Sequence, residues 1–521
     1  MPWGALKTMH AKTFSATTIG VHARLVEVEV DVSFGLVNFF IVGLPDMAIK
    51  ESAKRIQSAL NNCGFKLPAK KIIVNLAPAD LKKEGTFFDL PITLTILLAL
   101  KTIKLSEQYL QETLFLGELA LDGTVRQIKG VLAIAFDAKK MNKKRIILPK
   151  KNAQEASRIQ GIEVIGVSHL TEIITHLRNE KIIAKTEFLP SKPIEKKEKI
   201  DFSEIKGQMQ AKRALQIAAA GRHNILFIGP PGSGKTMLAK RLQTIMPELS
   251  FEEQIETGKI YSVSNKMNLS SIVSEMPFRS PHHTISQAGL VGGGSIPQPG
   301  EISLAHNGIL FLDELTEFKR DTLEVLRQPL ESKNVLISRA KQSVEYPASF
   351  VLVAALNPCP CGYWGDSNRD CRCSMSQVNR YLQKLSGPLL DRIDLQVHVQ
   401  SVGYEMIKEN KTKNIYSSKD LKEPVTKAVK TQKNRFQESS KHNSSMTPEE
   451  IELHCKLTPQ AEATMKQIFK KLSLSMRGYH KLLKVARTIA DLSQSECIDV
   501  SHLQEAIMYR SLDKHMEKIK Q

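Results

Sequence analysis

Residues 225–240 read ILFIGPPGSGKTMLAK, and this stretch decides the fold. Four apolar residues are followed by a Gly- and Pro-rich segment and then by residues that favour a helix, so the stretch predicts a strand, a turn and a helix. Residues 229–236 fit the phosphate-binding pattern G-x-x-x-x-G-K-[ST] in the strand-to-helix context that the pattern requires. The sequence therefore predicts a nucleotide-binding loop in a parallel α/β sheet.

Each part of this loop has an expected task in binding ATP and Mg²⁺. The glycines allow backbone amides to surround phosphate, and the helix N-terminus adds a positive dipole. We expect Lys235 to reach the β- and γ-phosphates and the Thr236 hydroxyl to bind Mg²⁺. The expected cofactor-binding residues are Gly229, Pro230, Pro231, Gly232, Ser233, Gly234, Lys235, Thr236 and Asp313.

Two further apolar strands end in polar residues suited to ATP hydrolysis. GILFLDEL (308–315) predicts a strand followed by Asp313, which would order the Mg²⁺ shell, and Glu314, which would polarise the attacking water. Such an acidic pair can also cap the next helix, but its position downstream of the loop favours the catalytic interpretation. FVLVAALNP (350–358) ends at Asn357, which either senses phosphate or water or forms a turn before a proline.

Composition limits the class of protein. The chain has 521 residues and a formal net charge of +19, a length that predicts roughly two to four domains. The charge favours a nucleic-acid partner, although a solubilising basic surface explains it equally well. The start lacks an apolar export signal, and PITLTILLAL (91–100) is too short to span a bilayer. We therefore expect a cytoplasmic protein without a membrane partner.

Four of the seven cysteines lie in NPCPCGYWGDSNRDCRCS (357–374). Because cytoplasmic thiols stay reduced, such a cluster indicates a metal site rather than disulfides. Two Cys-x-Cys pairs can supply four thiolates to one tetrahedral Zn²⁺, and four unliganded structural cysteines are the alternative. The expected zinc ligands of this closed, structural site are Cys359, Cys361, Cys371 and Cys373.

The rest of the chain indicates further domains. ARLVEVEVDVSF (23–34) alternates valines with acidic residues, which predicts a half-buried strand, and residues 46–64 predict an amphipathic helix. The expected organisation is an α+β domain at 1–186, a Pro- and Lys-rich linker at 187–200, an ATPase core at 201–400 with the cysteine cluster at 359–373, a charged and partly mobile segment at 401–446, and a helical lid at 447–521.

Several segments carry a resemblance to a known family. They read GQMQAKRALQIAAAGRHNILFIGPPGSGKT (207–236), FRSPHHTISQAGLVGGGSIPQPGEISLAHNGILFLDEL (278–315), AALNPCPCG (354–362) and LSGPLLDRIDL (385–395). They closely resemble the magnesium-chelatase-like AAA+ ATPases of the ComM/YifB type, and the resemblance covers nearly the whole chain. It implies an α/β fold class, with an AAA+ P-loop core and a helical lid.

The resemblance also implies residue roles. Arg392 is similar to the arginine finger that reaches a neighbouring subunit's γ-phosphate, with a surface ion pair as the alternative. Arg477 is similar to the lid arginine that senses ATP. Because a finger in trans acts only in a ring, the family implies a homo-hexamer. The expected catalytic residues are Glu314, Lys235, Arg392, Asn357 and Arg477.

A basic hairpin is the expected DNA contact. VLISRAKQSVEYPASF (335–350) predicts two short strands around RAKQS, and it resembles the hairpin that helicase relatives project into the ring channel. Lys341 falls at the position of their DNA-contacting lysine, and Arg339 lies nearby. Such contacts grip phosphates without reading sequence. A solvated hairpin tip is the alternative.

The N-terminal domain resembles the proteolytic domain of Lon-type proteases, a fold also similar to ribosomal protein S5. The resemblance lies in PADLKKEGTFFDLP (78–91) and GELALDGTVRQIKGVLAIAFDAKK (117–140). Phe87 stands where that family needs its Ser nucleophile, and Val131 and Leu132 stand where it needs the activating Lys. Peptide hydrolysis by this route is therefore excluded. The resemblance implies a domain that binds DNA or organises the ring.

The sequence as a whole predicts an ATP-driven hexameric DNA motor, either a helicase or a branch-migration translocase. Its expected substrate is single-stranded or branched DNA in recombination intermediates, for integration of DNA in natural transformation, with recombination proteins as further partners. Hydrolysis rests on the motifs, DNA binding on charge and the hairpin, and branch migration on the resemblance alone. A protein-remodelling ATPase of magnesium-chelatase type and a nucleotide-gated DNA clamp remain the alternatives.

Overall fold

The computed structural model describes residues 9–83, 85–189, 200–264, 276–294, 297–339, 342–366, 369–401, 416–438, 441–471 and 474–510. The chain divides into two compact units. The first is Met1–Ile194 with Gly258–Ser271, and the second is Glu195–Thr257 with Ile272–Gln521. Residues 190–199 of the expected linker lie outside the described part.

The first unit opens with a four-stranded sheet of order β1-β2-β4-β3. Its strands are β1 (Met9–Ile19), β2 (His22–Ser33), β3 (Asn38–Val42) and β4 (Lys71–Ala77). Neighbouring strands are antiparallel except β3 and β4, which are parallel. The four valines of β2 are buried and the acidic residues between them are not, which confirms the predicted half-buried strand.

Helices and a second sheet complete this unit. The helices are α1 (Met47–Asn62), α2 (Asp89–Ala99), α3 (Glu107–Gln111), α4 (Val131–Ala138), α5 (Lys150–Ala156) and α6 (Leu170–Leu177). The strands are β5 (Thr113–Phe115), β6 (Glu118–Leu119), β7 (Val125–Arg126), β8 (Arg145–Pro149) and β9 (Glu163–Val167). Strands β5, β8 and β9 form a parallel sheet, whereas β6 and β7 form an antiparallel pair.

The apolar segment that composition singled out is α2, which is buried on nearly every side within this unit. Phe87 packs against the same core, and Val131 and Leu132 are buried at the start of α4. The positions that resemble those of the polar catalytic groups of Lon-type proteases are thus occupied by apolar side chains, half-buried at Phe87 and buried at Val131 and Leu132. No helix in the described ranges is long and apolar enough to cross a bilayer.

A buried carboxylate joins α1, α2 and β6. Asp89 is fully buried, and its Oδ2 accepts hydrogen bonds from Arg55 Nε at 2.9 Å and from the Leu119 amide at 3.2 Å. The Ser52 hydroxyl donates to the other carboxylate oxygen. A buried charge of this kind is tolerated only because it is paired and fully hydrogen-bonded.

The second unit is built on a five-stranded sheet of order β11-β14-β17-β10-β18, in which all neighbours are parallel. The strands are β10 (Ile225–Ile228), β11 (Phe278–Arg279), β14 (Ile309–Leu312), β17 (Val351–Leu356) and β18 (Leu395–His398). Residues of β10, β14 and β17 are all buried, as expected for strands covered on both faces. The predicted parallel α/β core is confirmed.

The other elements of this unit surround the sheet or form its lid. The helices are α7 (Met209–Gly221), α8 (Lys235–Ile245), α9 (Phe251–Ser264, in the first unit from Gly258 onward), α10 (Gln287–Val291), α11 (Glu301–Leu304), α12 (Arg320–Glu324), α13 (Arg327–Ser332), α14 (Met375–Leu382), α15 (Gly387–Leu390), α16 (Ser418–Phe436), α17 (Pro448–His454), α18 (Pro459–Lys471), α19 (Met476–Leu492) and α20 (Val500–Met508). The short strands are β12 (Gly292–Gly293), β13 (Gln298–Pro299), β15 (Asn334–Arg339) and β16 (Gln342–Pro347), and 3-10 turns lie at Phe202–Glu204, Leu315–Glu317 and Asn443–Ser445.

The segment at 401–446, interpreted from its charge as partly mobile, contains the 19-residue helix α16. Its buried face, formed by Leu421, Val425, Ala428 and Val429, packs against α7, α8 and α19. The apolar residues have helical spacing, but the lysines between them obscure the pattern. Residues 402–415 and 439–440 lie outside the described ranges.

We predict that Asp89→Ala destabilises the first unit by about 3–5 kcal/mol, because it leaves Arg55 and the Leu119 amide without their buried partner. Thermal unfolding of the full chain measures the loss. Glu27→Ala is the matched control, since it removes a carboxylate from an exposed pair with Lys12 and should cost less than about 1 kcal/mol. Equal losses in the two variants would contradict the importance of the buried site.

Candidate nucleotide site

The phosphate-binding loop joins β10 to α8. The strand β10 lies between β17 and β18, and this position fixes where the loop begins. Gly232 and Gly234 have φ angles of +77° and +88°, a backbone conformation that side chains with a Cβ rarely adopt. The loop thereby curls into the N-terminus of α8, where free backbone amides and the helix dipole favour an anion.

Lys235 lies buried at the start of α8. Its Nζ donates hydrogen bonds to Gly229 O at 2.7 Å, to Pro230 O at 2.9 Å and to Asn357 Oδ1 at 3.1 Å. Burial lowers the pKa of Lys235, and the nearby carboxylates of Asp313 and Glu314 oppose that shift. Asn357, at the end of β17, therefore contacts the lysine of the phosphate-binding loop.

Thr236 and Asp313 form the second contact between strand ends. Thr236 Oγ1 donates a hydrogen bond of 2.7 Å to Asp313 Oδ2, and Asp313 Oδ1 accepts one from the Glu314 amide. A hydroxyl and a carboxylate in contact beside a phosphate-binding loop are oxygen ligands that suit Mg²⁺. The residues present therefore fit a Mg²⁺–ATP complex.

Glu314 follows Asp313 with a φ of +51° and an exposed side chain. Its Oε2 lies 3.6 Å from Nδ1 of His283, whose ring stacks on His282 and contacts the edge of Phe318. The SPHHT segment (280–284) carries the family resemblance, but the sequence does not predict that it contacts Glu314. The strand order explains the contact, since SPHHT follows β11, Glu314 follows β14, and the carboxyl ends of neighbouring parallel strands lie side by side.

Arg392 and Arg477 meet on one carboxylate. Arg392 Nη2 lies 2.7 Å from Glu331 Oε2, and Arg477 pairs with Glu331 Oε1. The two guanidinium groups, that of Arg392 first, lower the pKa of the Glu331 carboxyl. In the described part of the chain, the contacts of both arginines lie outside the phosphate-binding loop. The expected catalytic residues therefore form two groups, and Glu331 was not foreseen.

The four cysteines of the cluster are brought together. Sγ of Cys359 lies 3.3 Å from Sγ of Cys361 and 3.6 Å from Sγ of Cys371, and all four sulfur atoms lie within 4.8 Å of one another. Four thiolates about 2.3 Å from a tetrahedral Zn²⁺ would be about 3.8 Å apart, so the cluster has a suitable size. Amides of Tyr363 and Arg372 lower the pKa of Cys361 to about 6. The pKa values of Cys371 and Cys373 are raised instead, because a backbone amide bond that lowers each is outweighed by burial and the neighbouring cysteines.

The predicted hairpin is confirmed. Strands β15 and β16 pair antiparallel from Asn334 opposite Pro347 to Arg339 opposite Gln342. Lys341 lies outside the described residues, and the side chain of Arg339 is also not described. Their contact with DNA stays a prediction.

Known protein families match most of the chain. The family described as magnesium chelatase, subunit ChlI, matches residues 201–407. The family described as subunit ChlI of Mg-chelatase matches residues 28–152, and the one described as magnesium chelatase, subunit ChlI C-terminal, matches residues 416–510. These matches cover the parallel sheet, the lid and most of the first unit.

Individual proteins are similar over the whole chain or over part of it. Competence protein ComM of Haemophilus influenzae is 44% identical over 513 residues, which are 98% of this chain and 99% of that protein. The uncharacterized protein YifB of Escherichia coli is 43% identical over 505 residues, 96% of this chain and 97% of YifB. Lon protease 2 of Bacillus subtilis is 30% identical over 180 residues, 32% of this chain and 31% of the protease.

We predict that Lys235→Ala abolishes nucleotide binding, because it removes the ammonium from the loop. Arg392→Ala should leave nucleotide affinity unchanged and reduce ATP hydrolysis by about 10³- to 10⁵-fold, because its contacts lie outside the loop. A fluorescent ATP analogue measures binding, and phosphate release measures turnover. A parallel loss of binding and turnover in Arg392→Ala would contradict the finger role.

Proposed function

The chain belongs to the magnesium-chelatase-like AAA+ ATPases of the ComM/YifB type, and on this premise we propose that it is an ATP-driven hexameric DNA motor. In this proposal it translocates on single-stranded or branched recombination intermediates and promotes integration of DNA in natural transformation. The last step rests on the name of the ComM relative, a competence protein.

One observation carries the proposal, namely the division of the expected catalytic residues into two groups. Asn357 contacts Lys235 of the loop, and the charge of Glu314 acts on the same lysine, whereas Arg392 and Arg477 share Glu331 elsewhere in the same unit. A γ-phosphate held by the loop then receives its arginine from a neighbouring subunit. In a ring, this arrangement would couple ATP hydrolysis to movement between subunits.

Within one site, the roles follow from the contacts. Residues 229–234 surround the phosphates, and Lys235 neutralises their charge from its buried position. Thr236 and Asp313 hold Mg²⁺, which neutralises charge that develops on the phosphates. Glu314 polarises the attacking water, and Asn357 orients it. His283 lies where it can position the Glu314 carboxylate.

DNA binding rests on charge and on the hairpin. The net charge of +19 favours a polyanion, and in the sequence Lys341 falls between the antiparallel strands β15 and β16. In a ring, such hairpins contact phosphates in the channel and move with each hydrolysis step. The first unit lacks the protease dyad, so we propose that it binds DNA or organises the ring.

A motor that remodels a protein partner is the second candidate. The matches to magnesium chelatase subunits over 201–407 and 416–510 support it. The two candidates share the ATP site and differ in the polymer or protein that stimulates hydrolysis. Stimulation by DNA therefore distinguishes them.

We predict that single-stranded or forked DNA stimulates ATP hydrolysis, because the channel hairpins couple DNA phosphates to the catalytic site. DNA affinity should fall by about 10³-fold or more between 50 and 200 mM salt, as expected for several phosphate contacts. Lys341→Ala should reduce the stimulation. Lys466→Ala is the matched control, since it removes the same charge from an exposed helical pair with Glu462.

Two results would contradict the DNA motor. One is an ATPase rate that DNA leaves unchanged, which would favour the protein-remodelling candidate. The other is a monomeric native mass in the presence of both ATP and forked DNA, because the finger then has no neighbour to reach.

We also propose that the cysteine cluster binds Zn²⁺, and predict about one Zn²⁺ per chain by elemental analysis of the purified protein. Cys371→Ser should lose the metal, because three thiolates remain. Cys497→Ser, which lies outside the cluster, should retain it. Protein that contains no zinc, or two variants with equal zinc content, would refute the site.

A further inference from the structure

The cysteine cluster and the nucleotide site are connected through the backbone. Asn357 and Cys359 are separated by one proline at the carboxyl end of β17. Asn357 accepts the hydrogen bond from Lys235, and Cys359 is a fully buried member of the cluster. A shift of the Cys359 backbone therefore changes a direct contact of the phosphate-binding lysine.

The loop that carries the cysteines also packs directly on the phosphate-binding loop. Gly362 has a φ of +89°, and its amide donates to Cys359 O at 2.9 Å, so a tight turn places it. A methyl group added to its Cα would lie 2.6 Å from Cδ of Pro231, which is far below the contact distance of two carbon atoms. Gly362 thus lies against the ring of Pro231.

A third connection runs through the segment after β18. Ser401 Oγ donates to Asp366 Oδ1, in the cysteine loop, at 3.1 Å. Val399 lies in the same segment, and its carbonyl oxygen borders Gly229 so closely that a Cβ at Gly229 would be 2.1 Å from it. The cysteine loop is therefore attached on two sides to the surroundings of the phosphate-binding loop.

The cysteine loop contributes few buried side chains in its described part. Among its described residues between 359 and 373, Cys359 and Gly362 alone are buried, and the others are half-exposed or exposed. Such a segment forms no apolar core, and a metal held by its four thiolates would fix its conformation. Soft thiolate ligands select Zn²⁺ over the Mg²⁺ that accompanies ATP.

We propose that the four-cysteine site is a metal-dependent support for the phosphate-binding loop, through which Zn²⁺ increases the affinity for ATP. The bound metal fixes Cys359 and the turn to Gly362, and these hold Asn357 and Pro231 in the arrangement that binds phosphate. Because coupling between two binding sites is reciprocal, bound nucleotide also slows zinc loss. This proposal rests on the proposed ATP-binding function.

Two glycines of the same loop provide the decisive comparison. Gly362 and Gly365 both have positive φ, +89° and +78°, so alanine strains the backbone at either position. Of the two new methyl groups, the one at Gly362 meets Pro231, whereas no atom of the described residues lies within 4 Å of the one at Gly365. We expect Gly362→Ala to weaken binding of a fluorescent ATP analogue by about 5- to 150-fold and Gly365→Ala to leave it unchanged, with zinc content retained in both. Equal affinities in the two variants would overturn the proposal.

The unmodified chain provides a second test that does not depend on a variant folding. Removal of the metal with a chelator that prefers Zn²⁺ to Mg²⁺ should lower the affinity for the ATP analogue by a similar factor, and added Zn²⁺ should restore it. The analogue should in turn slow zinc release to the chelator. Unchanged affinity after zinc removal would refute the support. Failure of the zinc-loaded chain to bind the analogue would instead refute the proposed function.

Discussion

The hydrogen bond from Lys235 to Asn357 joins two neighbouring strands of the parallel sheet at their carboxyl ends. It exists because β17 lies between β10 and β14, so that the phosphate-binding loop, Asn357 and Asp313 leave the sheet side by side. At the same edge of the sheet, the hydrogen bond from Thr236 to Asp313 connects the phosphate-binding loop to the end of β14. The nucleotide site thus depends on strand order, which places residues from distant parts of the chain together before any ligand binds.

This dependence explains which parts of the site the sequence could predict. The loop at 229–236, Asp313, Asn357 and the cysteine cluster were recognisable because each is a local pattern with its own chemistry. The partnership of Glu331 with Arg392 and Arg477 was not, since a single acidic residue on a short helix has no local signature. His283 and the contact of Gly362 with Pro231 were missed for the same reason, because both depend on adjacency across the sheet.

The helices and strands were likewise predictable where a local sequence pattern indicates them. The valines of β2 and the apolar run of α2 were predictable from periodicity and hydrophobicity. Helix α16 was missed because lysines dominate its composition, although its buried face has helical spacing. In the first unit, Phe87 and Val131 were recognised as incompatible with proteolysis, and the structure gives them a packing role instead. Asp89 retains a buried charge there, and its partners come from α1 and β6.

Glu331 places a single negative charge between an arginine of the ATPase core and an arginine at the start of the lid helix α19. Two cations that share one counterion compete for it, so an anion that draws one guanidinium away leaves the carboxylate to the other. In the proposed ring, the contact between the core and the lid helix α19 would then depend on whether Arg392 reaches a phosphate on the neighbouring subunit. Under the proposed function, the carboxylate of Glu331 would thereby couple the position of the lid to the nucleotide bound by the next subunit.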